Sequence, residues 1–165
     1  APGRGTVVRV VLPALAAVEL PVAAAEAPVC RGAAAPRRHR VMLVDDEPQV
    51  AHTMERLLRK DHDVTVALCG QEAIEHITRG TRFDVIISDV MMPNMTGIEL
   101  IEELRQVAPD QADRLIFLSG GAFTVETRER LDQLGAPQLE KPVTAKELRA
   151  CVLRIATEPR HAARG

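Results

Sequence analysis

Phe83–Gly97 reads FDVIISDVMMPNMTG. Val85, Ile86 and Ile87 form an unbroken apolar run, with Gly80 before it and Pro93 and Gly97 after it. A short, β-branched run without alternation predicts a strand buried on both faces, as in a parallel sheet. Asp89 stands where that run ends. Open α/β sheets place their chemistry just outside the carboxyl ends of parallel strands, which makes Asp89 a candidate functional residue. An Asp after a strand is also a common turn former. The remainder of the chain decides between the two.

Upstream, Val41–Val44 is a second such run, followed at once by Asp45, Asp46, Glu47 and Pro48. Pro48 suits the first turn of a helix, with an acidic residue capping before it. Val50, Met54, Leu57 and Leu58 then recur at helical spacing. Asp63–Leu68 is expected as a strand, and Gly70–Arg79 as a short helix stopped by Gly80. Downstream, Ile98, Leu100, Ile101, Leu104 and Val107 predict a helix that stops before Pro109. Leu115–Leu118 is a fourth buried strand, ending at Ser119, Gly120 and Gly121. Thr124–Leu134 is a helix with Gly135 past its end. Gln138–Glu140 is a brief fifth strand, ending at Lys141 and Pro142. Thr144 with Glu147 forms a capping-box pattern that opens a last helix through Leu148, Val152 and Ile155.

Strand and helix therefore alternate through five rounds from Val41 to about Thr157. The alternation predicts an α/β fold: a doubly wound, five-stranded parallel sheet with helices on both faces. A flavodoxin-like strand order of 2-1-3-4-5 is expected. The 165 residues suit one domain plus a tail. The expected organisation is a leading strand in 1–13, an Ala/Pro-rich linker over 14–39, the domain over 40–157 and a polar tail over 158–165.

Composition excludes several classes. Aromatic residues are 2% of the chain, with no Trp or Tyr, so the core is aliphatic and base stacking has no platform. A net charge of -2 gives no basic footprint for nucleic acid. The three cysteines are scattered without metal-type spacing, and a reduced, cytoplasmic setting is expected. No apolar stretch is long enough to span a bilayer, so no direct membrane contact is expected. The five histidines are unclustered and read as surface residues. The basic run Arg37–Arg40 reads as the solvated end of the linker. Met91, Met92 and Met95 read as loop packing.

The polar residues converge in this topology. Asp45 and Asp46 end strand one, Asp89 ends strand three, Ser119 ends strand four and Lys141 ends strand five. In a parallel sheet these ends share one edge, so the five side chains can meet. Three packed carboxylates repel unless a cation neutralises them. A hard, oxygen-seeking ion such as Mg²⁺ suits them, held by a few carboxylates plus water and phosphate. Asp89 as a carboxylate nucleophile would form an acyl phosphate. Lys141 supplies a compact cation to a phosphoryl oxygen, and the Ser119 hydroxyl a further contact.

With these pieces in order (VMLVDDEP, FDVIISDVMMPNMTG, LIFLSGGA and LEKPV), the stretch from about Arg40 to Thr157 resembles a response-regulator receiver domain. The resemblance implies Asp89 as phosphoacceptor and Asp45 and Asp46 as Mg²⁺ binders, with a further metal contact from the Met91 backbone carbonyl. It implies Ser119 as the switch hydroxyl, Lys141 as the phosphate-binding lysine and a cis bond before Pro142. The partner would be a histidine-kinase or histidine-phosphotransfer domain. Such a module is no independent enzyme beyond self-phosphotransfer and autodephosphorylation.

At the front, GRGTVVRVVLP (Gly3–Pro13) resembles the closing strand of a histidine-kinase ATP-binding domain. LSGGAFTVETRERL followed by LEKPV resembles receivers at the C-terminus of hybrid histidine kinases. The chain has no initiator Met and is expected to be part of a longer kinase, through which it would form a homodimer. The other expectation weighed is a non-phosphorylated, receiver-like interaction module. One departure stands out: receivers carry a Tyr or Phe in strand five where this chain has Gln138. Without that ring, phosphorylation is expected to perturb the helix over Thr124–Leu134 and strand five only weakly.

Overall fold

A computed structural model of the protein describes residues 37–120 and 124–158. The expectations for 1–13, for most of the linker, for Gly121 and for most of the tail lie outside these residues. Five parallel strands form one sheet: β1 (Arg40–Val44), β2 (Asp63–Ala67), β3 (Val85–Asp89), β4 (Leu115–Ser119) and β5 (Gln138–Glu140). Their order is β2-β1-β3-β4-β5, as the alternation predicted. Six helices connect and close it: α1 (Pro48–Leu58), α2 (Gly70–Thr78), α3 (Gly97–Val107), α4 (Pro109–Ala112), α5 (Val125–Leu134) and α6 (Ala145–Thr157).

The central strands are apolar because they are covered on both faces. Met42, Val44, Ile86, Leu115 and Phe117 pack with Ile74, Ile77, Leu100, Ile101 and Leu104 on the side of α2 and α3. Val41, Leu43, Val85, Ile87, Ile116 and Leu118 alternate to the other face, against Met54 and Leu58 of α1 and Leu148, Val152 and Ile155 of α6. Each fully buried Leu, Ile or Val contributes about 1.5–3 kcal/mol relative to exposure, so these two aliphatic layers dominate the folded state.

Helix ends follow local chemistry. Thr96 with Glu99 caps α3, and Thr144 with Glu147 caps α6; each is a complete capping box. Gly135 ends α5 in the left-handed region, at φ 66°. The acidic cap expected for α1 is a correction: Glu47 occupies that position without a side-chain bond. The Glu47 N–H instead donates to Asp45 Oδ1 at 3.0 Å, which holds Asp45 in place. Helix α4 was not expected either. Its buried Gln111 accepts the Phe83 N–H at 2.8 Å and so closes the approach to β3.

Three further readings are corrected. Arg38 is not the end of a solvated linker. Its guanidinium donates to the carbonyls of Arg59, Lys60 and His62, and to Asp63 Oδ1 at 2.9 Å. It thereby satisfies carbonyls left open past the end of α1. His39 and His62 are buried rather than on the surface, with ring centroids 5.6 Å apart. Met92 is buried and Met95 packs on the core, whereas Met91 is 61% exposed and not packed as expected.

Candidate functional site

The site grows from the ends of the strands. Asp45 and Asp46 follow β1 directly, Asp89 is the last residue of β3, Ser119 the last of β4, and Lys141 follows β5. Asp45, Asp46 and Asp89 each offer a carboxylate oxygen, and the three atoms lie within 4.8 Å of one another. Lys141 Nζ reaches in from β5, 3.1 Å from Asp45 Oδ2 and 3.2 Å from Asp89 Oδ2. Asp45 is buried, Asp89 half-buried and Asp46 exposed. The bond between Lys141 and Pro142 is cis.

The electrostatics are unbalanced in one direction. Burial pushes the Asp89 carboxyl above the usual carboxylate range; the charge and hydrogen bond of Lys141 and the Met91 N–H oppose this, and Asp45 adds to it. For Lys141 burial acts downward, but its hydrogen bond to Asp45 and the charges of Asp89 and Asp45 outweigh it, so the ammonium is held above its ordinary value. Three carboxylates thus face one ammonium, leaving two negative charges, the charge of one divalent cation. That donor set of oxygens at a solvent-facing edge suits a hard dication.

The backbone beneath Asp89 is tightly specified. The buried Ser88 hydroxyl donates to the Asp89 carbonyl oxygen at 2.9 Å. Gly97 N–H donates to the Val90 carbonyl at 3.0 Å, and a side-chain carbon at Gly97 would overlap the Asp89 carbonyl oxygen. Only glycine permits that approach of α3 to the end of β3. Neither Ser88 nor Gly97 was singled out from the sequence as a supporting residue; the signal was the glycine placed just where the next helix opens. Ser119 sits at the expected strand end, yet its hydroxyl donates to the Leu139 carbonyl of β5 at 3.4 Å. It has no hydrogen bond to the carboxylates among the described residues.

The family model described as "Response regulator receiver domain" matches residues 41–153. The chain belongs to this receiver family. Among its relatives, the sensor kinase CckA of Brucella abortus is 35% identical over 156 residues, covering 91% of this chain and 16% of the kinase. The hybrid signal transduction histidine kinase D of Dictyostelium discoideum is 35% identical over 119 residues, 71% of this chain and 8% of that one. The receiver thus spans a small fraction of these relatives. Among solved structures, the signal receiver domain of a histidine kinase from Syntrophus aciditrophicus matches with a TM-score of 0.64 at 28% identity, covering 76% of this chain and 98% of that one. The receiver is a module of two-component signal transduction, and accepting a phosphoryl group is the standard function of its family. Receivers bind Mg²⁺ at an acidic pocket, and this receiver has one at its strand ends. No helix among the described residues is long and apolar enough to cross a membrane.

Proposed function

We propose that Asp89 is the phosphoacceptor of this receiver and that its phosphodonor is a phosphohistidine on a kinase or phosphotransfer domain. The observation that carries the reading is the bridge from Lys141 to both Asp45 and Asp89. It sets a cation beside the one carboxylate that is half-buried, flanked by acids and held on a rigid backbone. In the transfer, an Asp89 carboxylate oxygen attacks phosphorus as the P–N bond to the donor imidazole breaks. The bonding pair stays on the imidazole nitrogen, and the product is an aspartyl phosphate. Lys141 then faces a phosphoryl oxygen in place of a bare carboxylate, and Ser119 turns from Leu139 to donate a further hydrogen bond. Asp45, Asp46 and Asp89 would hold Mg²⁺, with the Met91 carbonyl as a further ligand; the ion supplies charge neutralisation for in-line phosphoryl transfer.

The parent chain is read as a hybrid histidine kinase acting in the cytoplasm and dimerising through its kinase part. The similarity to CckA supports this. Its 91% coverage exceeds what Val41 to the chain end can supply, so it reaches into the residues before Val41. The test of the site is incubation with acetyl phosphate and Mg²⁺, followed by intact-mass measurement. Wild type should gain one phosphoryl group, and Asp89→Asn, or wild type with chelator, should gain none. Equal labelling of wild type and Asp89→Asn would overturn the assignment. A wild type that neither labels nor binds beryllofluoride would instead be a non-phosphorylated interaction module.

A further inference from the structure

We infer that the cleft at the opposite end of the sheet, between the starts of β1 and β2 and the flank of α6, is a second site that binds a small oxyanion, a phosphate or carboxylate group. The cleft has a volume of about 280 Å³ and is lined by Arg37, His39, Asp61, His62, Arg149 and Leu153. It is separate from the carboxylate cluster. His39 precedes β1 and His62 precedes β2, whereas Asp45 follows β1. A five-residue strand lies between the two sites, a separation of roughly 17 Å.

The lining is cationic and has unspent donors. Two guanidinium groups face a single carboxylate, Asp61. Arg149 Nε lies 3.0 Å from Asp61 Oδ2 but is not aligned as a hydrogen bond, and it is buried without a partner. The Asp61 side chain is 53% exposed and free to turn to water when another anion arrives. Arg38 adds to the positive field, although its own donors are taken by three carbonyls and Asp63. Asp84 lies 3.7 Å from the Nδ1 of His39 and is not among the residues lining the cleft.

The independent observation is His62. Its residue is 3% exposed, yet its Nδ1 has no hydrogen-bond partner. Buried polar atoms are nearly always paired, and this one, in the lining of a cationic cleft, can donate to an anion there in the Nδ1–H tautomer. Burial lowers the proton affinity of the ring, His39, Arg38 and Arg149 lower it further, and Asp61 opposes them. An oxyanion in the cleft reverses that field and gives the ring an acceptor for a second proton. The fork of a guanidinium matches two oxygens of phosphate or carboxylate. Leu153, 49% exposed at the rim, accommodates an apolar neighbour of the anionic group.

The experiment uses the whole chain in chloride buffer at constant ionic strength. Inorganic phosphate, and separately acetate, is titrated while the imidazole C–H resonances of His39 and His62 are followed by NMR. Saturable shifts of His62, with its titration midpoint moved upward, are expected for at least one of the two anions. The preferred anion tells phosphate from carboxylate. Asp89→Asn should bind as wild type does, which separates this site from the phosphoacceptor. Arg37→Gln should weaken binding about tenfold, the effect of one charge-assisted hydrogen bond, and Arg37→Lys should recover part of it. Arg149→Gln also removes the hydrogen bond to Leu57, so the exposed Arg37 provides the decisive variant. A response that never saturates, that chloride reproduces, or that Arg37→Gln leaves unchanged would overturn the site.

Discussion

At the scale of single residues, the charge imbalance around Asp89 has a measurable sign. Its folded pKa is raised above the ordinary 3.8. Such a group contributes stability that is fully present below 3.8 and is lost as pH rises through the folded value. At neutral pH without divalent metal, the ionised Asp89 therefore destabilises the domain. Asp89→Asn should show a higher urea midpoint than wild type at pH 7, and the gap should close on acidification toward the ordinary carboxylate value. A lower midpoint for the variant at pH 7 would contradict the reading. His62 runs the other way. Its folded pKa lies below the ordinary 6.5, so its stability contribution is complete above that value and is lost as pH falls through the folded one. Urea midpoints measured from pH 8 downward should fall across this window in wild type and stay flatter in His62→Gln. Both histidines were read from sequence as surface residues, because their cover comes from chain segments distant in sequence and from a pairing of strand entrances that no local pattern announces.

At the scale of elements, the start of α3 and the whole of α5 represent opposite extremes. Gly97 at the first turn of α3 sits against the carbonyl of Asp89. Gly97→Ala should cost about 1–3 kcal/mol, as overpacking does, and, if Asp89 is the acceptor proposed above, should slow phosphorylation by acetyl phosphate because the Asp89 backbone must shift. Denaturant titration and labelling rates check the two effects. Helix α5, by contrast, buries only Leu131. An Arg130–Glu102 pair at 2.6 Å and the Arg105 bond to the Leu134 carbonyl are its exposed ties to α3. Exposed ion pairs contribute little, so amides of α5 should exchange with deuterium faster than those of α3. Weak attachment does not by itself make a switch. Gln138 stands opposite Phe117 with its side chain in water, and no ring is there to follow Ser119. Beryllofluoride should therefore shift amide resonances strongly beside Asp89 and Lys141 and weakly over Thr124–Leu139; comparable shifts in both regions would refute this.

At the scale of the whole molecule, binding that is confined to the folded state adds to stability. Millimolar Mg²⁺ should raise the melting temperature of wild type and leave that of Asp46→Ala nearly unchanged, as read by calorimetry. The architecture behind these expectations was legible in the sequence. Runs such as VMLV and LIFL can only be buried on both faces, and their polar ends fall on one edge once the strands are parallel. The four residues of α4 were not legible, being too few to show a helical period. Nor was the role of Arg38, three of whose four acceptors are backbone carbonyls that carry no residue signature. The direction of the Ser119 hydroxyl likewise depends on β5 lying alongside, a matter of packing rather than of spacing. The shortness of β5 has its own consequence. This edge strand has three residues, stands between Pro137 and Pro142 and displays Glu140 to water. A sheet edge so short, charged and bracketed by residues lacking a backbone donor is a poor template for another chain. The domain is thereby protected from growing into edge-to-edge aggregates along that side.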